Sequence, residues 1–357
     1  MIDEHDISLL HQATRLAVRG HGAVEPNPLV GCVITSKEGT LIGEGFHEKF
    51  GEAHAEINAL AEAGEGARNG TAYITLEPCN HQGKTPPCSQ ALIQAGIARV
   101  VIGTKDPHDT ASGGADSLRR EGVDVAIIND ELCLELIKPF THRIKTGLPW
   151  VTCKWAQTID GCIETPENVS QWISCKESLQ LVHEERGCVD AIMVGIGTVV
   201  HDNPSLTVRN TPKHRTPLRV VIDPNLRTPS TSNILNNEAP TLLVHAEGVD
   251  TSSFKHCQLF ALPWREGALD FIPLLRLLVN EYDATNVIAE GGATLFQHIF
   301  NQNLANELWI FVSPQKSKIT PAINMNTLVD SLTTSVLDEQ PSGTDTVRRL
   351  AVHAHQI

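Results

Sequence analysis

Three short segments carry side chains whose types and spacing can do chemistry. They are His54-Ala55-Glu56, Glu77-Pro78-Cys79 and Pro86-Pro87-Cys88. One imidazole and two thiolates suit Zn2+, which prefers tetrahedral nitrogen and sulfur ligation. Three protein ligands (His54, Cys79 and Cys88) leave a fourth position for water, the arrangement of a catalytic zinc rather than a closed structural one. A metal held in this way lowers the pKa of its water toward ~7 and supplies hydroxide at neutral pH. Glu56, two residues from His54, can reach that water without ligating the metal. It can take the water proton and pass it to a leaving group. The competing reading is a structural zinc with His81 as the fourth ligand.

These residues need elements to bring them together. The hydrophobic pattern predicts helices over 7–18, 53–62, 89–95, 115–121 and 130–146. Strands are predicted over 30–35, 41–46, 72–76, 99–103 and 123–128. His54-Ala55-Glu56 then opens a helix, Cys79 follows a strand and Cys88 precedes a helix. The alternation implies an α/β sheet with helices on its faces. Gly147-Leu148-Pro149 punctuates the chain, so a boundary is expected there, with one domain over 1–147 and another over 148–357. The second half alternates again. Strands are expected over 150–155, 191–194, 218–222, 241–244, 286–289 and 308–312, with helices over 176–186, 271–280 and 293–300.

Composition narrows the partners. The 357 residues carry a formal net charge of -14, which repels phosphate backbones on average, so no nucleic-acid partner is expected. The apolar stretches fall short of the ~20 residues that span a bilayer, so no membrane partner is expected. The acidic start of the chain lacks signal-peptide order, and the nine scattered cysteines do not form a disulfide pattern. A cytoplasmic homo-oligomer acting on a small molecule is the expectation.

In the second half, Gly195-Ile196-Gly197-Thr198 follows a strand, and Glu290-Gly291-Gly292 leads into a helix. Glycines at such turns let backbone amides approach a phosphate, although a simple tight turn is the better reading of each motif taken alone. Neither is the Gly-x-Gly-x-x-Gly dinucleotide fingerprint.

His-x-Glu followed by two cysteines resembles the signature of zinc deaminases. The resemblance then becomes narrower. Pro26 to Ile34, Gly43-Glu44-Gly45-Phe46-His47, His54-Ala55-Glu56 and Thr75 to Cys88, with its eight-residue insert between the cysteines, resemble the bacterial bifunctional riboflavin-biosynthesis deaminase/reductase family. In the second half 154–161, 170–174, 190–198, 202–209 and 290–292 resemble the same family's reductase part. The resemblance implies a cytidine-deaminase-like three-layer α/β/α domain followed by a dihydrofolate-reductase-like α/β domain. It implies one zinc per chain and NADPH.

The implied reactions are deamination of 2,5-diamino-6-(5-phosphoribosylamino)pyrimidin-4-one and then reduction of the product's ribosyl group to ribityl. By the same resemblance Asn27, His47, His81 and Lys84 line the first pocket. Ala156, Trp172, Thr198, Asp202 and Gly292 contact NADPH. Ser170, Arg186, Leu206, Arg209 and Glu290 contact substrate, and Lys154 polarises the sugar. Asn80 and Lys84 stand where serine and arginine are more usual, and three features of the second half depart from the family pattern: Leu179 where an arginine is usual, Asn306 where an aspartate is usual, and an altered segment after Ser313-Pro314. They leave open a deaminase fused to a reductase-like domain without activity. The shared His-Ala-Glu also leaves open a nucleoside or nucleic-acid deaminase, against which charge and the long loop argue.

Overall fold

A computed structural model of the chain describes residues 2–80, 86–108, 112–164, 173–254, 256–265, 268–317, 319–321 and 323–353. The chain forms two compact units, Met1–Gly147 and Leu148–Ile357.

The first unit runs α1 (Glu4–Ala17), β1 (Gly31–Thr35), β2 (Leu41–Phe46), α2 (Ala55–Ala63), β3 (Thr71–Leu76), α3 (Cys88–Ala95), β4 (Arg99–Thr104), α4 (Gly114–Arg120), β5 (Asp124–Ile127), α5 (Glu131–Leu136) and α6 (Lys138–Thr146). Its five strands lie in the order β2-β1-β3-β4-β5. Alternating side chains of a strand face opposite ways, so the central strands β1, β3 and β4 each serve two cores. Cys32, Ile34, Ala72, Ile74, Val100 and Ile102 pack with α2, α3 and α4. Val33, Tyr73 and Val101 pack with Leu9 and Ala13 of α1. The result is three layers, helix on sheet on helix.

Two local features place the first site. A Cβ at Gly45 would stand 2.4 Å from the Ala55 carbonyl oxygen and from the Ala59 amide nitrogen. Only glycine lets α2, whose first turn carries Glu56, lie that close to β2. At the end of β3, Glu77 is buried and its Oε1 accepts from the backbone N–H groups of Gly113 and Ala115, 3.1 Å each. That anchor fixes the chain just before Cys79.

The single helix expected over 130–146 is two. Ile137, at φ -97 and ψ 7, ends α5 and caps α6. Pro139 has no N–H to continue the α5 ladder but is tolerated in the first turn of a new helix.

The second unit contains β6 (Trp150–Thr158), α7 (Lys176–Arg186), β7 (Ala191–Gly195), α8 (Ile196–Asp202), β8 (Leu218–Ile222), β9 (Thr241–Ala246), β10 (Gln258–Leu262), β11 (Trp264–Arg265), β12 (Ala268–Leu269), α9 (Ile272–Tyr282), β13 (Asn286–Glu290), α10 (Ala293–Asn301), β14 (Glu307–Ser313), α11 (Met325–Asp330), β15 (Thr334–Ser342) and β16 (Asp345–Val352). Nine strands form one sheet in the order β10-β9-β8-β7-β13-β6-β14-β16-β15. Pairing is parallel from β10 through β14 and antiparallel onward to β16 and β15. β6 divides its faces cleanly: Val151, Cys153 and Trp155 join one core. Ala156 packs with Ile192, Val194 and Phe311 in the other. Asn306 has a structural role here, its Oδ1 accepting from the Val151 amide at 2.8 Å.

Hydrophobic pattern did not foretell two parts of the sheet: edge strand β10, which is mostly half-exposed, and the β15–β16 hairpin, where most of β15 is exposed and has no apolar alternation. α8 was read only as a glycine turn. Among the described residues no helix is long and apolar enough to cross a membrane.

Candidate functional site

His54, Cys79 and Cys88 converge. The His54 Nδ1 lies 3.3 Å from the Cys88 Sγ and 3.7 Å from the Cys79 Sγ. All three donor atoms fall within 4.8 Å of one another. Tetrahedral zinc with Zn–N near 2.05 Å and Zn–S near 2.3 Å needs N···S edges of about 3.6 Å. The observed edges bracket that value, so the donor set fits zinc in both chemistry and size.

The folding of the loops explains the convergence. His54 caps α2 and Cys88 is the first residue of α3. The Cys88 N–H donates to the Cys79 Sγ at 3.4 Å, so the positive end of a helix favours a thiolate at Cys79. The Cys88 side chain and His54 together hold the Cys79 thiol down to about 4, against burial. Cys88 is pushed the other way by the Cys79 sulfur, burial and the Glu56 carboxylate.

Glu56 is the acid–base candidate. It lies in the first turn of α2, buried beside these ligands, and burial raises its carboxyl to about 7. A carboxyl poised there can take a proton and return it near neutral pH.

Asn27 and His47 belong to the same pocket. The His47 ring meets the His54 ring edge-on, with centroids 5.2 Å apart. His47 Nδ1 lies 3.0 Å from the Ala53 carbonyl oxygen, so Nδ1 carries the proton and donates. Burial lowers the His47 pKa, which favours the neutral ring. Its Nε2 is then an acceptor for the Asn27 amide at 3.2 Å. Asn27 is thereby held with its carbonyl oxygen available to a ligand. His81 and Lys84 lie outside the described residues.

In the second unit Lys154, Arg186 and Glu290 come together from β6, the end of α7 and the end of β13. The Arg186 Nε and Nη2 donate to the two Glu290 oxygens at 2.7 Å each. The Lys154 Nζ is 3.6 Å from Glu290 Oε2 and 5.5 Å from the centre of the Phe311 ring. Burial pushes Glu290 up, but Arg186 and Lys154 outweigh it and hold the carboxyl at about 2. Burial also lowers Lys154. Two cations and one anion leave one net positive charge at the carboxyl ends of parallel strands, where open α/β sheets bind ligands.

The glycine segments lie beside this cluster. A Cβ at Gly291 would stand 3.7 Å from the Gly195 amide nitrogen. At Gly197 and Gly292 an added Cβ would meet nothing within 4 Å, and neither has a positive φ. Neither packing nor backbone demands glycine at these two positions, so the space suits an extended ligand such as a dinucleotide. Ala156 and Thr198 are half-buried near the same strand ends, Ala156 on the Lys154 face of β6.

Asp202, the last residue of α8, and Arg209, on the loop after it, are exposed, and Asp202 pairs with His201 at 2.8 Å. No direct contact joins Asp202 or Arg209 to the Lys154–Arg186–Glu290 cluster among the described residues. Leu206, in the same loop, is buried at a φ of 49°. Ser170 and Trp172 lie outside the described residues. Sequence reasoning missed His183. It sits one turn before Arg186, and its Nδ1 is buried with no hydrogen-bond partner among the described residues. The spacing to Arg186 on α7 was the one available signal.

Comparison with known proteins finds relatives along both halves of the chain. A family model described as cytidine and deoxycytidylate deaminase zinc-binding region matches residues 3–104. A second, the RibD C-terminal domain, matches residues 149–317. The riboflavin biosynthesis protein RibD of Aquifex aeolicus is 38% identical over 321 residues, which cover 88% of each chain. That of Escherichia coli is 35% identical over 319 residues, covering 85% of this chain and 86% of the relative. The structure of Acinetobacter baumannii RibD superposes with a TM-score of 0.83 at 33% identity, covering 98% of this chain and 99% of that one. A Thermotoga maritima diaminohydroxyphosphoribosylaminopyrimidine deaminase/5-amino-6-(5-phosphoribosylamino)uracil reductase superposes with a TM-score of 0.84 at 31% identity, with the same coverage.

Proposed function

This chain belongs to the RibD family of riboflavin biosynthesis proteins, and on that premise we propose how its residues divide two reactions. It is a zinc-dependent deaminase and an NADPH-dependent reductase. The first reaction releases the 2-amino group of 2,5-diamino-6-(5-phosphoribosylamino)pyrimidin-4-one as ammonia. The second reduces the ribosyl group of 5-amino-6-(5-phosphoribosylamino)uracil to ribityl. We assign the first to residues 1–147 and the second to residues 148–357.

His54, Cys79 and Cys88 hold the zinc, which when bound supplies a water acidified toward neutrality. The Glu56 carboxylate accepts a proton from the attacking water and delivers it to the leaving amino nitrogen. Asn27, oriented by His47, pairs with the pyrimidine edge through its amide. We assign His81 and Lys84 to substrate binding as well. The observation that carries this reading is the buried Glu56 beside three donor atoms spaced for zinc.

For the second reaction NADPH, when bound, supplies the hydride. Ala156, Trp172, Thr198, Asp202 and Gly292 receive the cofactor. Ser170, Arg186, Leu206, Arg209 and Glu290 receive the phosphorylated sugar, with the guanidinium groups matched to phosphate oxygens. Lys154, kept close to Glu290 and largely dry, polarises the sugar at the carbon to be reduced. Leu179 offers no charge, so phosphate binding falls to the arginines. The buried Lys154–Arg186–Glu290 cluster counts against a second unit emptied of chemistry, because an unused buried cation pair would be costly to keep.

A homo-oligomer in the cytoplasm is the setting we propose. Nine free cysteines support a reducing compartment, and exposed Val336 and Leu337 on edge strand β15 support self-association.

Glu56→Gln tests the division of labour. Ammonia release should fall by about 10²–10⁴-fold, the usual worth of a general acid–base. Zinc content should stay near that of wild type, and reduction of supplied 5-amino-6-(5-phosphoribosylamino)uracil should persist. Loss of zinc in this variant would make Glu56 a ligand instead.

A further inference from the structure

Arg219 sits in the second position of β8, a strand buried along its whole length, and is the largest of the fully buried side chains. A guanidinium in such a place must be matched by acceptors. Among the described residues no carboxylate lies within ion-pair distance of it. Backbone and amide oxygens take the charge instead. Nη1 donates to the Ser205 carbonyl at 3.2 Å, to Asn236 Oδ1 at 2.9 Å and to the Asn233 carbonyl at 3.5 Å. Nη2 donates to the carbonyls of Asn236 and Ala239. One side chain thus ties Ser205 to the segment 233–239.

Ser205 belongs to the loop after α8 that carries Leu206 and Arg209. That loop is strained. Asn203, Leu206 and Asn210 have φ values of 42°, 49° and 59°. Asparagine tolerates the left-handed region, whereas a bulky leucine enters it only when its surroundings force it. The forcing contacts are visible. Asn233 donates to Asn203 twice, from its backbone N–H to Oδ1 and from Nδ2 to the carbonyl, 2.8 Å each. Leu206 is sealed into the core. The carbonyls of Ser205 and Ala239, both bonded to Arg219, belong to residues that line a cavity of about 370 Å³ with Arg209 and Lys213.

We propose that Arg219 is a positioning residue for the reduction. It holds the loop 203–209 in its strained form, so that Leu206 and Arg209 are presented to substrate without an ordering cost at binding. The inference rests on the substrate roles assigned above to Leu206 and Arg209. An apolar residue would fill the same space in β8 without the desolvation of a charge. Only a planar guanidinium fork reaches carbonyls of both segments at once.

Steady-state kinetics of Arg219→Lys and Asn233→Ala test this, with amide hydrogen exchange on the same samples. Lysine keeps the charge but not the fork, and Asn233→Ala removes one tie to Asn203 from the other side. Both should raise KM for 5-amino-6-(5-phosphoribosylamino)uracil, Arg219→Lys by about tenfold, while kcat changes less than about threefold. Amides of 203–209 should exchange faster while those of β7 and β13 keep their protection. Wild-type KM in both folded variants overturns the proposal. Should Arg219→Lys lose protection in β7 and β13, Asn233→Ala decides alone by the same criterion. A wild-type chain that oxidises no NADPH on this substrate overturns the reading of the site itself and this proposal with it, a result distinct from unaltered variants of an active enzyme.

Discussion

Arg186 and Glu290, 104 residues apart, form a two-pronged ion pair in which Nε and Nη2 each meet a separate carboxylate oxygen at 2.7 Å. Lys154 makes the anion common to two cations. Glu290 therefore stays ionised in the fold down to about 2, below its ordinary 4.5. A depressed carboxyl stabilises the fold fully above its unfolded value and loses that contribution as pH falls through the folded one. Between pH 4.5 and 2 the second unit should lose about 3 kcal/mol from this group. Glu290→Gln, which leaves two buried cations unmatched, should be less stable than wild type at pH 7 by about 3–5 kcal/mol. The gap should close toward pH 2. Acid-unfolding curves of both proteins check this, and a gap that stays constant with pH would rule it out.

Removing zinc should separate the two activities. A chelator should stop ammonia release while NADPH oxidation on supplied 5-amino-6-(5-phosphoribosylamino)uracil continues. Cys88→Ser should lose metal and ammonia release together, because a serine hydroxyl does not replace a thiolate ligand at neutral pH. Metal analysis beside both assays reads the outcome.

The His47 Nε2 accepts from the Asn27 amide at 3.2 Å, and under the proposed function His47 is the residue that orients Asn27. Asn27→Ala should raise KM for the diaminopyrimidine about tenfold, and His47→Ala by a similar or smaller factor. The double variant should be no worse than Asn27→Ala, since residues acting as one unit are not additive. Zinc content should stay the same in all three. Additive losses would give His47 a role of its own.

Gly197 offers a test that opposes stability to function. It lies in α8 with open space where a Cβ would go. Alanine there should leave stability unchanged or raise it by up to ~1 kcal/mol, as alanine favours helix. The same methyl should intrude on the cofactor and raise KM for NADPH. An unaltered KM in a fully stable Gly197→Ala would place the cofactor elsewhere.

The zinc site was legible because its chemistry is local. His54 and Glu56 share a helix start, and the cysteines flank one loop whose length is itself distinctive. β1, β3 and β4 of the first sheet were legible because their burial is nearly continuous, and β2 because its buried positions alternate. The break at Ile137 was missed because an apolar period runs through it, and only Pro139 marks it. In the second unit the cluster depends on β6 and β13 being neighbours, with Glu290 in register with Lys154. No spacing along the chain encodes that pairing. Arg219 was invisible for a similar reason. An arginine within a five-residue strand reads as an exposed position, and the carbonyls that bury it come from two distant loops. The β15–β16 hairpin lacks an apolar face on its outer strand, so pattern could not find it.

The most direct measurement supplies the purified, zinc-loaded chain with 2,5-diamino-6-(5-phosphoribosylamino)pyrimidin-4-one and NADPH and follows ammonia and NADPH together. One ammonia released for each NADPH oxidised, with oxidation lagging behind ammonia, is the result expected of two reactions in series. Ammonia release with no NADPH oxidation would contradict it.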